Sequence, residues 1–328
     1  YFQKEIKMNN KLSNKNILVL GGSGFVGSNL LQKITKLTNK ITATYHSNEP
    51  KYNNEHINWV KINLTKDYQY KKLMKDKEIV FICAAYTKGA SVIVNSPMDL
   101  VTPNIIMNSN ILENCYKFGV KKVIFLSSSV VYPEMDVSID ESLALTGNPP
   151  EIYFPVAWMK RYTEILCHTY SKKIKNGFSS LIIRPSNLYG PYDNFHPKES
   201  HVIPSLIRRV VNKETPFKIW GTGEDSRDFI YIDDFIEGVI NAANIDEQFM
   251  DINLTTAQNK TINEILENLF EIENYYPDVE YDTTQPQTIN KRLLSNEKAK
   301  NLINFKLNTS IKEGLAKTIK WYKENEQN

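Results

Sequence analysis

From residue 16 to residue 185 the chain repeats one pattern, a short apolar run followed by a stretch of helical periodicity. The runs are NILVL (16–20), ITATYH (41–46), INWVKINL (57–64), EIVFICAA (78–85), KKVIFLSSSVVY (121–132) and SSLIIRP (179–185). Helical pattern fills Phe25 to about Leu37, then about 97–118 and 155–175. Short apolar strands that alternate with helices imply a parallel sheet covered on both faces, that is, a doubly wound α/β fold. After Asn187 the rhythm changes to loops rich in Pro, Gly and Asn, with shorter strands such as FKIWG. DFIYIDD and FMDINL are expected to return to the sheet, and the chain from about 259 is expected to be helical and part of a smaller C-terminal lobe. A ligand would then sit between the lobes, at the carboxyl ends of the strands.

Composition narrows the partners. The 328 residues are 41 % apolar and 23 % charged, which suits one large domain or two interleaved ones. A net charge of +3, spread evenly, argues for neither nucleic acid nor a membrane surface. No apolar run approaches the roughly 20 residues needed to span a bilayer, and no secretory segment follows the YFQ start, which reads as a tag remnant. Cys83, Cys115 and Cys167 lie far apart in apolar stretches without metal-ligand spacing. The expectation is buried thiols in a reducing cytoplasm, and no metal site.

VLGGSGFVGSNL places Gly21, Gly24 and Gly27 directly after the first strand and at the start of a helix. Glycine lets the backbone approach a pyrophosphate, and the helix N-terminus donates N–H groups to it. Dinucleotide binding is therefore expected of residues 14–186 with 228–258, and a substrate lobe of 187–227 with 259–328, after an N-terminal extension at 1–13. An acidic residue ending the second strand would hold a ribose hydroxyl of NAD. The chain has Tyr45, His46 and Ser47 there, and no arginine nearby to hold the extra phosphate of NADP. The lean is to NAD(H), because a phosphate without a guanidinium is the harder group to accommodate.

The spacing of the three glycines resembles that of extended short-chain dehydrogenases/reductases. FLSSSVVYP (125–133), RPSNLYGPYDNFHPKESHVIPSLIRR (184–209), WGTGEDSRDFIYIDD (220–234) and EGLAKTIKWY (313–322) resemble the nucleotide-sugar branch of that superfamily. The second and third stretches are most similar to GDP-fucose synthases and GDP-sugar (including GDP-heptose) 4-dehydrogenases/reductases. The resemblance covers nearly the whole chain and implies a Rossmann sheet with a smaller substrate lobe. It also implies cofactor contacts at Ser23, Phe25, Val26, His46, Asn63, Leu64, Ala84, Ala85, Tyr86, Lys160 and Pro185 beside the glycines.

In such enzymes a serine, a tyrosine and a lysine accompany hydride transfer, the last two four residues apart on one helix face. Ser128 matches the serine and Lys160 the lysine, with Glu164 one turn on, but the tyrosine position is Val156. The one tyrosine with a lysine four residues later is Tyr68, with Lys72, in a polar run between strands. Tyr153 precedes Lys160 by seven residues, about 10 Å along a helix axis. On this basis the tyrosine is absent, and Thr87 or Lys88, or a relay through Ser128 or a water to Lys160, would have to move the proton. A second departure is Val130, where the resemblance implies an epimerisation cysteine; its histidine partner is retained as His201. Valine cannot carry a proton, so a two-base epimerisation is not expected.

The resemblance further implies that Arg209, Arg227 and Arg292 grip a sugar-nucleotide diphosphate, a task that suits planar, bidentate guanidinium donors. Lys88, Ser129, Asn187, His201, Val202 and Trp220 are the other implied substrate contacts. Trp220 is read either as a stacking surface for guanine or as a buried strand aromatic. The two long helices imply a homodimer. The leading reading is oxidation or reduction at C4 of a GDP-sugar in bacterial surface-polysaccharide synthesis. An epimerase–reductase and a catalytically silent nucleotide-sugar binding protein are the alternatives.

Overall fold

The computed structural model describes residues 10–66, 70–87, 95–284 and 292–326. Tyr68 and Lys88 lie outside them. Seven parallel strands form the central sheet: β1 (Ile17–Leu20), β2 (Ile41–Tyr45), β3 (Ile57–Lys61), β4 (Ile79–Ile82), β5 (Lys122–Leu126), β6 (Ser179–Pro185) and β10 (Phe249–Leu254). Their order is β10-β6-β5-β4-β1-β2-β3. The chain winds outward from β1 to β3, returns to pair β4 with β1, and winds the other way. The crevice beyond the carboxyl ends of β1 and β4 is thus the topological switch point.

Strand β1 accounts for the two layers. Side chains alternate across a strand. Ile17 and Val19 join a core with Leu30 and Leu31 of helix α1 (Phe25–Ile34) and Phe235 of the later helix Ile232–Ala243. Leu18 and Leu20 point the other way, into a core with Met107 and Ile111 of one long helix and Cys167 of another. Between β3 and β4 lies one turn and a half of helix, α2 (Tyr70–Met74). The long helices are α3 (Met98–Lys117) and α4 (Phe154–Lys172), packed together through such pairs as Asn108 and Thr163 at 3.3 Å.

Several boundaries differ from expectation. Helix α1 ends at Ile34, and β5 stops at Leu126 instead of continuing to Tyr132. Residues Ser129–Val131 form a short 3-10 turn, because the Ser128 side chain accepts a hydrogen bond from the Val130 N–H and turns the backbone out of the ladder. DFIYIDD does not return to the main sheet. Its strand β9 (Ser226–Tyr231) lies between β7 (Asn187–Tyr189) and β11 (Asn259–Thr261) in a separate three-stranded sheet. The chain beyond 259 is mixed rather than helical. Strand β12 (Val279–Asp282) pairs in parallel with β8 (Phe217–Trp220). The remaining helices are α5 (Val202–Val211), α6 (Ile232–Ala243), α7 (Ile262–Glu273), α8 (Glu297–Ile303) and α9 (Ile311–Asn325). Reciprocal capping boxes, Thr261 with Glu264 and Ser310 with Glu313, start α7 and α9.

Candidate functional site

The glycine turn is built by close approach. Gly21 has φ +79°, and a Cβ on it would come within 2.6 Å of the Ala84 backbone. That packing lays the segment after β4, with the expected contacts Ala84 and Ala85, against the turn. Gly27 in the first turn of α1 would place a Cβ 2.1 Å from the Gly21 carbonyl oxygen, so only glycine lets helix and turn meet. The Gly21 N–H donates to Thr44 Oγ1 at 3.0 Å and the Gly22 N–H to the Thr44 carbonyl at 2.8 Å, which fixes the turn to β2. Helix α1 begins after Gly24 with no side-chain cap. Its first N–H groups, those of Phe25, Val26 and Gly27 beside Ser23, are the ones a helix leaves to an anion or to water.

Around this turn, His46 is exposed after β2 with its Nδ1 2.9 Å from Ser47 Oγ. Asn63 holds a turn through Thr65, and the carbonyl of Leu64 accepts from Tyr70 Oη. Tyr86 is clamped by Asn104 of α3, which accepts from its N–H at 3.1 Å and donates to its carbonyl at 2.9 Å. Asn104, buried in a helix, has no local signature of this role.

A cleft opens past the ends of β5 and β6. Its walls include Ser129, Val130, Tyr153, Asn187, Arg227 and Arg292. Four side chains expected at the site, Ser129, Asn187, Arg227 and Arg292, meet here with Val130. Asn187 Nδ2 donates to the Asp228 carbonyl at 2.9 Å. Arg292 Nη1 donates to the Ser129 carbonyl at 3.0 Å, while its Nε and Nη2 are buried without a partner among the described residues. Burial holds the Arg292 guanidinium below its ordinary range, opposed by Tyr153 and Glu134. A buried guanidinium with two unspent donors fits an anionic group.

His201 caps α5 without a side-chain bond and keeps an open face to solvent. Desolvation by surrounding atoms, and secondarily the Arg227 cation, push its imidazole below the ordinary range. Val202 is half-buried beside it.

His201, Val202, Arg209 and Trp220 are not among the residues that line this cleft. Arg209 forks onto Glu214 at 2.9 and 2.7 Å, donates to the Lys218 carbonyl at 2.6 Å and lies over the Phe217 ring. Its five donors are drawn to a carboxylate five residues on, a pairing that motif matching does not reveal. Trp220 is 69 % exposed at the end of β8, so the buried reading fails, because β8 sits in a two-stranded sheet that leaves alternate side chains in water.

On α4, Lys160 Nζ donates at 2.9 Å to the carbonyl of Leu126, two residues before Ser128, and lies over the Phe125 ring. Burial pushes this lysine down to about 8, with Glu164 opposing. Glu164 accepts from Ser127 Oγ and from Arg184 Nε and Nη2 at 3.0 and 2.8 Å. Arg184 also reaches Tyr132 Oη at 3.1 Å and Asp251 at 2.9 Å. Helix α4 is thereby pinned to β6, β10 and the turn that carries Ser128. Breaking one such buried ion pair typically costs about 3–5 kcal/mol. Tyr153, set aside on sequence grounds for its distance from Lys160, lines the cleft.

Fold and cleft together have the form of the Rossmann-type nucleotide-sugar enzymes. The chain belongs to the NAD dependent epimerase/dehydratase family, which matches residues 17–254. It is 28 % identical over 320 residues to GDP-L-fucose synthase 1 of Arabidopsis thaliana, covering 94 % of this chain and 93 % of that one. Among solved structures it superposes with a TM-score of 0.85 on UDP-N-acetylglucosamine 4-epimerase from Methanobrevibacter ruminantium M1, at 29 % identity over 95 % of this chain and 99 % of that one. The UDP-glucuronic acid 4-epimerase from Bacillus cereus, in complex with UDP-glucuronic acid and NAD, gives a TM-score of 0.81 at 25 % identity, over 94 % of this chain and 99 % of that one.

Proposed function

We propose that the protein is an NAD-dependent oxidoreductase acting at C4 of a GDP-sugar, as a 4-dehydrogenase or 4-ketoreductase. The observation that carries the reading is the cleft itself, where Arg227 and the unspent donors of Arg292 face Ser129 and Asn187 at the carboxyl ends of the strands. The nucleobase assignment to guanine rests on the resemblance to GDP-L-fucose synthases. A nicotinamide dinucleotide, held by Gly21, Gly24, Gly27 and the α1 N-terminus, would accept or supply the hydride. The lean to NAD is supported by the cation that pairs with the end of the second strand, Lys61 opposite Tyr45 in the sheet. Lys61 ends β3 paired with Glu49 at 3.2 Å and lies over the Tyr45 ring, so it is not spare for a 2′-phosphate.

Val130 lines the cleft where an epimerising pair would need an acid. Simple oxidation or reduction is therefore favoured over epimerisation, and His201 is left as a bystander to the hydride step. Lys160, desolvated against the Leu126 carbonyl, would bind the cofactor ribose. Residues 14–186 with 228–258 would form the dinucleotide domain, and 187–227 with 259–328 the substrate lobe. A cytoplasmic homodimer serving bacterial surface-polysaccharide synthesis completes the reading. An exposed stripe on α4, Phe154, Trp158, Tyr162 and Ile165, supports the dimer.

The test is spectroscopic. Purified protein mixed with NAD and a panel of GDP-sugars should develop reduced-nicotinamide absorbance with at least one of them, without solvent deuterium entering the sugar carbons beside C4. Deuterium incorporation there would restore the epimerase. Absence of any nicotinamide signal, with tight GDP binding, would replace the enzyme by a binding protein.

A further inference from the structure

The cleft wall carries one proton-active side chain that the reading above leaves idle. Guanidinium does not release its proton in proteins, and an unperturbed serine hydroxyl is too weak an acid to act alone. Among the described cleft residues that leaves Asp228 and Tyr153. Asp228 is spent. It is 3 % exposed, and its Oδ1 accepts from Ser186 Oγ at 2.8 Å, Thr256 N–H at 3.1 Å and Thr256 Oγ1 at 2.8 Å, while Oδ2 accepts from Thr255 Oγ1 at 2.5 Å. Tyr153 is half-buried, and its hydroxyl hydrogen-bonds to no described residue. It lies near enough to Arg292 to act on that charge.

Helix geometry ties Tyr153 to the lysine of the site. It is the N-cap of α4, reached through the 3-10 turn Glu151–Tyr153. Seven residues nearly complete two turns at 3.6 per turn, so Tyr153 and Lys160 share a helix face with Val156 between them. A phenol therefore lines the cleft at the entrance of the helix that carries Lys160, about one turn before position 156.

We propose that the Tyr153 hydroxyl exchanges a proton with the sugar oxygen at the reacting carbon, in the place left without a base by Val156. The inference rests on the nucleotide-sugar reading above. In the direction of carbonyl reduction, the carbonyl carbon would take hydride from a reduced nicotinamide, the carbon–oxygen π pair would move to the sugar oxygen, and the Tyr153 Oη–H bond breaks as an O–H bond forms on that oxygen; the phenolate then recovers a proton from water. Oxidation runs through the same bonds in reverse. A phenol is a group that can both give and take this proton, whereas the guanidinium beside it supplies charge alone.

Three proteins decide the matter: the wild type, Tyr153→Phe, and the double variant Tyr153→Phe/Val156→Tyr. Each is titrated with GDP-mannose and with GDP, and single turnover is followed with NAD and GDP-mannose. Tyr153→Phe should bind GDP as the wild type does. Its preference for GDP-mannose over GDP should fall roughly threefold to tenfold, the worth of one hydrogen bond. Turnover should slow by about 10²-fold, the scale of a lost general acid or base, and recover at least in part in the double variant. If wild-type turnover of GDP-mannose is too slow to follow, the binding preference alone decides. A Phe variant that keeps both preference and rate overturns the assignment, as does one that loses GDP and GDP-mannose equally. Wild type that binds neither nucleotide overturns the GDP-sugar reading, and the inference with it.

Discussion

Lys160 sets the pH behaviour expected at the residue scale. Its ammonium is buried against the Leu126 carbonyl and the Phe125 ring, and burial lowers its pKa to about 8. In an unfolded chain lysine titrates near 10.4, as a reference value of about that size. Between the two values the unfolded chain holds a proton that the folded protein has released. The contribution of Lys160 to stability therefore rises with pH across that window. Below about 8 both states are charged and the cost of burial is constant. Lys160→Met removes the titration. The stability difference, wild type minus variant, should be flat below that pH and shift in favour of the wild type above it, by up to about 3 kcal/mol. Denaturant melts of both proteins from neutral pH to about 10.5 check this, and a difference independent of pH would mean the ammonium is hydrated. Tyr153 shows why part of this site escaped sequence reading. A one-turn spacing marks two side chains as neighbours, whereas a seven-residue spacing marks only a shared face. The 3-10 turn that swings Tyr153 toward the cleft has no period of its own.

At the scale of elements, the turn between β1 and α1 separates two roles that glycine can have. Gly27 is structural, since a Cβ there would strike the Gly21 carbonyl at 2.1 Å and Gly22 Cα at 2.8 Å, both backbone atoms that cannot swing away. Gly24 has room, its nearest atom being the Gly21 oxygen at 3.4 Å, with an ordinary φ of −79°. Gly27→Ala should therefore destabilise the protein by about 1–3 kcal/mol in the absence of any nucleotide. Gly24→Ala should leave stability within about 0.5 kcal/mol and weaken dinucleotide binding, because its Cβ stands where a pyrophosphate would approach the helix N-terminus. Thermal melts with and without NAD separate the two, and equal melting temperatures for both variants would sink the distinction. The same strand-to-helix alternation made the sheet legible as far as Pro185, because strands such as β1 and β4 are buried on both faces and most crossovers are helical, the link from β2 to β3 being the exception. It failed at β9. Phe229, Ile230 and Tyr231 are buried as a central strand would be, but against β7 and α6 rather than β10. Burial is written in a sequence, whereas the choice of pairing partner is made by the whole fold. Arg209 pairs with Glu214, which sequence matching does not reveal, because a guanidinium fits a motif equally well whether its partner is a phosphate or a carboxylate.

At the scale of the molecule, the surface offers one argument about assembly. Helices α3 and α4 cover one face of the sheet with their buried sides, and their outer sides are not uniformly polar. Phe154, Trp158, Tyr162 and Ile165 recur at helical spacing along α4, each between 38 % and 49 % exposed, and Ile106 of α3 is 42 % exposed. Phe154 and Trp158 meet edge to face with ring centroids 6.1 Å apart. Exposed aliphatic and aromatic side chains scattered singly need no explanation, but a continuous stripe of them on one helix does. A second copy of the same surface, related by a two-fold axis, would bury both stripes as a four-helix layer. Because Tyr153 caps α4 and Lys160 lies within it, the layer would also stiffen the helix to which we assign the proton chemistry. Tyr162→Glu and Ile165→Glu place a charge in that layer without touching the cleft. The wild type should sediment as a dimer at micromolar concentration and each variant as a monomer, while far-ultraviolet circular dichroism stays unchanged. The monomer should bind NAD with near-normal affinity, since the glycine turn lies on β1 and α1. Variants that sediment as the wild type does would place the assembly surface, if any, elsewhere on the molecule.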